Sequence, residues 1–275
     1  MAEELMRTGM MRVGLALGGG GARGLAHLGV IRRLQELNIP IHCVAGTSIG
    51  AIMAGVMAAG NVNKALAWCA EPDWKKLPRL FIDGHFTNKA LISGNQIERL
   101  LAEFVPVDDF TKFNLPCAMV ATDLRSGEEV VMRTGDVLSA VRASMAIPGV
   151  FRPVAREGRV LVDGGLVNPL PVRACREMGA DRVIAVDITP WRVSEAEKDY
   201  DDMNIFDVLV SAFRICNGEM TRRVLADAPA DVLLHPPVDD IRILDFRHAS
   251  NVVEAGRQAL DSRLADIYNC LEWTP

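Results

Sequence analysis

Apolar positions fall in short blocks separated by glycine, proline and polar residues, and the spacing within each block predicts its element. Met11–Leu17 (MRVGLAL) is a short buried strand that runs straight into a glycine run. From Ala22 to Leu37, Leu25, Leu28, Ile31 and Leu34 recur every three positions, the spacing of one helix face. Asn38 and Pro40 end that helix. A second strand, His42–Ala45, enters the turn Gly46–Gly50, and Ala51–Ala59 continues as a buried helix. The middle, Trp68 to Val107, is irregular apart from a helical run over Gln96–Phe104. Strands are expected at Cys117–Thr122, Glu129–Arg133, Arg159–Val162, Arg182–Asp187 and Asp231–His235. Helices are expected at Val137–Ser144 and Val172–Met178, along Ile205, Val208, Leu209, Ala212 and Phe213, and over Ser250–Leu271. The acidic stretch Glu195–Asp202 reads as an exposed loop. Strands alternating with helices imply a mostly parallel sheet with helices on both faces.

Composition narrows the function classes. The 275 residues are 49% hydrophobic and 24% charged, enough to bury a sizeable core. No linker divides them, so residues 11–275 read as one domain and 1–10 as a flexible N-terminal extension. A net charge of −5 disfavours nucleic acid as a partner, because binding phosphates requires basic surface. The six cysteines form no C-x-x-C pair, which reads as reduced, mostly packed thiols with no disulfide framework and no metal site. Neither a signal segment nor a twenty-residue apolar helix is evident, so the expected location is cytoplasmic, with peripheral membrane contact.

Three blocks can carry chemistry. In Gly46-Thr47-Ser48-Ile49-Gly50, a serine sits at a strand-to-helix turn with glycines two residues on either side. A nucleophilic serine on a strained elbow needs such small neighbours; the same serine would also serve as an ordinary helix N-cap. The second block, Gly18–Gly24 (GGGGARG), lies between strand one and helix one. Glycines there free main-chain N–H groups to face an anion. Gly19-x-Gly21-x-x-Gly24 fits the dinucleotide fingerprint, which wants an acid about twenty positions on. Between Gly24 and Ala70 the one acid is Glu36, inside helix one, so that reading fails. An oxyanion hole remains, with Arg23 either steadying the loop, touching a phosphate or solvated at the helix start. In the third block, Asp163-Gly164-Gly165, an acid ends a strand and two glycines permit a sharp turn. Asp163 is a candidate general base or a turn aspartate. His235 and His248 compete for the base role in a Ser–Asp–His order, whereas His27 and His42 flank apolar segments and read as structural.

In order along the chain, GGGGARG (Gly18–Gly24), GTSIG (Gly46–Gly50), RASMAIPGVF (Arg142–Phe151) and DGG (Asp163–Gly165) resemble the patatin-like phospholipases, and in particular bacterial members related to the neuropathy target esterase branch. LALGGGGARGLAHLGVIRRL, LVDGGLVNPLPV and MGADRVIAVD are similar in style, and the likeness covers roughly residues 11–190. The resemblance implies a three-layer α/β/α sandwich and a serine lipid-acyl hydrolase without cofactor or metal. It implies Ser48 as nucleophile, Asp163 as general base, and amides around Gly19, Gly20 and Gly21 as the oxyanion hole. Arg23, Gly24, Gly46, Gly50, Gly164 and Gly165 would shape the site, and the substrate would be a fatty-acyl ester or phospholipid. The competing functions are a fold-sharing adaptor that acts by binding a partner, and a general esterase with a triad. Two apolar regions compete to line an acyl groove, Trp74–Phe86 and Ile205–Phe213, each equally readable as core or oligomer contact. Lys75, Lys76 and Arg79 beside the first would touch a membrane surface.

Overall fold

The computed structural model describes residues 11–70, 95–190, 203–243 and 245–272. Five strands run in parallel neighbouring pairs at its centre: β3 (Cys117–Asp123), β2 (Cys43–Thr47), β1 (Val13–Leu17), β7 (Arg182–Val186) and β8 (Val232–Leu234). Every residue of β1, β2 and β3 is buried, as expected of strands covered on both faces. Side chains alternate across the pleat. Leu15, Leu17, Val44, Met119 and Ile184 enter one core, and Ala16, Ala45, Ala118 and Ala185 enter the other.

The larger core lies under α1 (Ala26–Glu36), α2 (Ile49–Ala58), α3 (Val62–Ala70), α4 (Asn95–Phe104), α5 (Val137–Ser144), α8 (Ala249–Ser262) and α9 (Leu264–Leu271). The smaller is covered by α6 (Val172–Glu177), with Leu225 of α7 (Ile205–Asp227) packed against it. Small strand residues on that face let α6 sit close, since a Cβ at Gly14 would come within 2.8 Å of Cys175 and Ala180. This is the expected α/β/α sandwich.

The far end of β3 departs from a plain parallel sheet. Its first half pairs with β2, ending at Thr47↔Val120. Its second half pairs antiparallel with β6 (Arg159–Asp163), ending at Ala121↔Asp163. Met119 to Thr122 pair throughout with β4 (Glu129–Met132), so β2 and β6 share the opposite edge of β3. A strand residue offers one partner per edge. The last residues of β2 and β6 therefore meet head-on at consecutive positions of β3.

Other boundaries moved for local reasons. Strand β2 extends through Gly46 and Thr47, because the turn begins only at Ser48. Helix one starts as a 3-10 turn, Gly21–Leu25, before becoming α1. The closing helix breaks at Arg263 into α8 and α9. A short strand, β5 (Val154–Arg156), pairs with β6; it is too brief for a periodic signal. Four of the cysteines are buried and Cys270 is half-buried, as the mostly packed reading expects, while Cys216 is exposed on α7. No helix among the described residues is long and apolar enough to cross a membrane.

Candidate active site

Ser48 joins β2 to α2 with φ 58° and ψ −125°, a backbone region that non-glycine residues rarely adopt. The elbow closes because its glycines lack side chains. A Cβ at Gly46 would lie 2.1 Å from the carbonyl oxygen of Gly50, and one at Gly50 2.1 Å from that of Leu17. The helix N-cap reading does not hold for the side chain, which makes no capping bond. Instead Ser48 Oγ donates to Asp163 Oδ2 at 2.7 Å.

Asp163 reaches that position from the head-on junction of β6 with β2. Sequence alone placed it at the end of a parallel strand; β6 is antiparallel, and the shared edge of β3 brings the two residues together instead. Its backbone is held at both ends. The N–H donates to Ala146 O at 2.9 Å, and Thr122 Oγ1 donates to its carbonyl at 2.9 Å. Its other carboxylate oxygen accepts the Gly165 N–H at 2.8 Å. Gly164 packs on the β3 backbone, where a Cβ would come within 2.3 Å of Val120 O. Asp163 is fully buried, and desolvation raises its pKa to about 7 against the opposing pull of the Ser48 and Gly165 hydrogen bonds. A carboxylate so poised can accept a proton near neutral pH.

The glycine loop starts beside the elbow, because Leu17 and Gly46 are paired across β1 and β2. Gly18 N–H donates to Val186 O at 3.0 Å, and the Gly18 carbonyl accepts from His27 Nε2 at 2.8 Å. His27 is wholly buried, and desolvation lowers its pKa to about 4, so the ring is neutral and its Nε2–H is the donor. One expectation is corrected here. Gly19 N–H donates to Pro169 O at 2.9 Å and is therefore not a free donor for an oxyanion. The amides of Gly20 and Gly21, held at φ 159° and 62°, make no hydrogen bond to a described residue. Gly24 packs on α2, with Ile49 where its Cβ would be. Arg23 is 6% exposed, which removes the solvated reading.

One of the competing histidines lies elsewhere. His235 follows β8, three strands from β2, or roughly 14 Å across the sheet. It faces Asp187, with Nδ1 to Oδ2 at 3.6 Å. His248 precedes α8 as its N-cap residue.

Sequence reasoning missed two site residues. Ser144, the last residue of α5, accepts the Ser48 N–H at 2.9 Å and donates to Val120 O at 2.6 Å. Asn217 of α7 is buried, and its Oδ1 lies 2.5 Å from where a Gly165 Cβ would be. Ser144 lies within the RASMAIPGVF block, which carried the resemblance without giving the serine a role. Asn217 is a polar residue on a helix whose neighbours lie far along the chain, so no local pattern marks it.

Ser48 opens into an apolar cavity of about 150 Å³. Its walls include Ile52, Met53 and Val56 of α2, Trp68 of α3, Phe104 of α4, and Met145, Ile147 and Phe151. Arg142 braces this wall, pairing with Glu98 at 2.9 Å and lying over the Phe151 ring. None of the described side chains of Ile205–Phe213, one of the two regions expected to supply an acyl groove, lines this cavity. Trp74–Phe86, Lys75, Lys76 and Arg79 lie outside the described residues.

The patatin-like phospholipase family model matches residues 15–176. An uncharacterized NTE family protein of Mycobacterium tuberculosis is 38% identical, over 91% of this chain and 92% of that protein. The lysophospholipase NTE1 of Pyricularia oryzae is 27% identical over 89% of this chain, which spans 18% of its length. Among solved structures, VipD of Legionella pneumophila aligns with a TM-score of 0.49 and 14% identity, covering 92% of this chain and 67% of that one. By family model and by relatives of nearly the same extent, the chain belongs to the patatin-like phospholipases, hydrolases of lipid acyl esters that work through a Ser–Asp pair.

Proposed function

We propose that Ser48 and Asp163 form the catalytic dyad of a lysophospholipase-type or carboxylesterase-type hydrolase, acting on a single fatty-acyl chain held in the cavity beside Ser48. The observation that carries this is the 2.7 Å contact between a buried carboxylate and a strained serine that lines an apolar cavity. Asp163 takes the hydroxyl proton as Oγ adds to the ester carbonyl, and the N–H groups of Gly20 and Gly21 receive the negative charge on its oxygen. Asp163 then returns the proton to the departing alcohol, leaving an acyl-Ser48. Water, deprotonated by Asp163, releases the fatty acid and restores Ser48. The name of the Pyricularia relative supports a lysolipid substrate.

The test is active-site labelling. Wild-type protein should take a fluorophosphonate label and hydrolyse p-nitrophenyl acyl esters, while Ser48→Ala should do neither. Label retained by Ser48→Ala would place the nucleophile elsewhere.

A further inference from the structure

Helix α7 carries an apolar stripe on its outer face. Ile205, Val208, Leu209, Ala212, Ile215 and Cys216 recur on one face of its first three turns, and all six are exposed. Ile205 is 75% exposed and Ile215 65%. Among its described residues the buried ones are Asn217 and Thr221, with Val210, Phe213 and Leu225 half-buried. Farther along, the same outer stripe becomes Glu219, Arg222 and Arg223, which are exposed in the ordinary way. Contiguous apolar surface of this kind marks a binding face.

Its position says what it binds. Leu209 lies 3.5 Å from the Cβ position of Gly149, in the turn between Ile147 and Phe151. Those two residues line the cavity beside Ser48. The outer stripe and the cavity wall therefore meet at one turn, and Arg152, exposed at its end, sets a cation beside them. The stripe exposes on the order of 500 Å² of mostly aliphatic surface, and what it adjoins is the wall of an apolar cavity lined by Ser48. Shallow insertion into an acyl phase takes such an aliphatic stripe with a cation at its edge.

We propose that the α7 stripe docks the protein on a lipid bilayer, bringing the cavity mouth to the surface where acyl esters lie. This rests on reading the cavity as an acyl site. The experiment compares wild type with the combined variant Ile205→Glu, Val208→Glu, Ile215→Glu, none of which touches the dyad. Each protein is sedimented with phosphatidylcholine vesicles and assayed on a soluble short-chain ester. The variant should lose about tenfold or more in vesicle binding, keep its soluble-ester rate, and wild-type binding should survive high salt. Vesicle binding equal in the two proteins, or absent in wild type, overturns the proposal. So does a wild-type dimer in sedimentation equilibrium that the variant dissociates, which would assign the stripe to a second copy. A wild type that binds vesicles but hydrolyses no ester would instead sink the catalytic reading and leave the docking face standing.

Discussion

Two buried residues near the dyad titrate in opposite senses. Burial holds Asp163 up from 3.8 to about 7 and pulls His27 down from 6.5 to about 4. Across the interval between, folded Asp163 keeps a proton that the unfolded chain has released, so its contribution to stability is lost as pH rises through about 7. Folded His27 lacks a proton that the unfolded chain holds, so its contribution is lost as pH falls below 6.5 towards 4. The two slopes offset each other. In Asp163→Asn, urea midpoints should rise with pH across that interval relative to wild type, and in His27→Gln they should fall. A variant that parallels wild type would contradict the environment assigned to the replaced side chain. Catalysis follows the ionised form alone, so kcat/KM should climb through an apparent pKa of about 7 and level off above it. A pH–rate profile that is flat across neutrality would remove Asp163 as the base.

At the scale of elements, the site is a junction of strand ends braced by a helix end. Thr47 and Asp163 are brought together because β2 and β6 use adjacent stretches of β3. Ser144, at the end of α5, ties the elbow to that strand through Val120. Removing its hydroxyl leaves the Ser48 N–H and the Val120 carbonyl without their partner, at about 1–3 kcal/mol per buried group. Ser144→Ala should therefore lower kcat by roughly tenfold or more with KM little changed, and lower the urea midpoint as well. Unchanged kcat with lowered stability would make Ser144 a packing residue only. The sequence signals for the strands were sound, but strand direction was not legible in them. Arg159–Asp163 reads the same whether it pairs parallel or antiparallel, since period-2 burial is indifferent to direction.

At the scale of the molecule, the larger core is hollowed beside Ser48. The cavity runs along α2 between α3 and α4, and Val56 lies about two turns from Ser48, or roughly 12 Å along the helix axis. Filling that end should shorten the acyl chain accepted. Val56→Trp should reduce kcat/KM on long-chain p-nitrophenyl esters by about tenfold or more while sparing short ones, since overpacking acts where the volume is added. Equal losses on both would mean that the chain leaves by another path. The outer apolar stripe of α7 belongs to this scale too, because only the assembled molecule shows which helix face lacks a partner.

The sequence by itself determined the layers and the chemistry of the blocks. Buried strands, amphipathic helices and glycines at close backbone approaches are local demands, and GTSIG and GGGGARG state them within a few residues. The resemblance already paired Ser48 with Asp163; what only the tertiary structure decided was how such pairings are made over long separations. Asp163 lies 115 residues from Ser48 and Ser144 lies 96, and no pattern between them measures distance. The structure also decided that Gly19 spends its amide on Pro169, whereas those of Gly20 and Gly21 bond no described residue. Glycine supplies the same freedom at all three positions, and only the neighbouring turn at Pro169 distinguishes them.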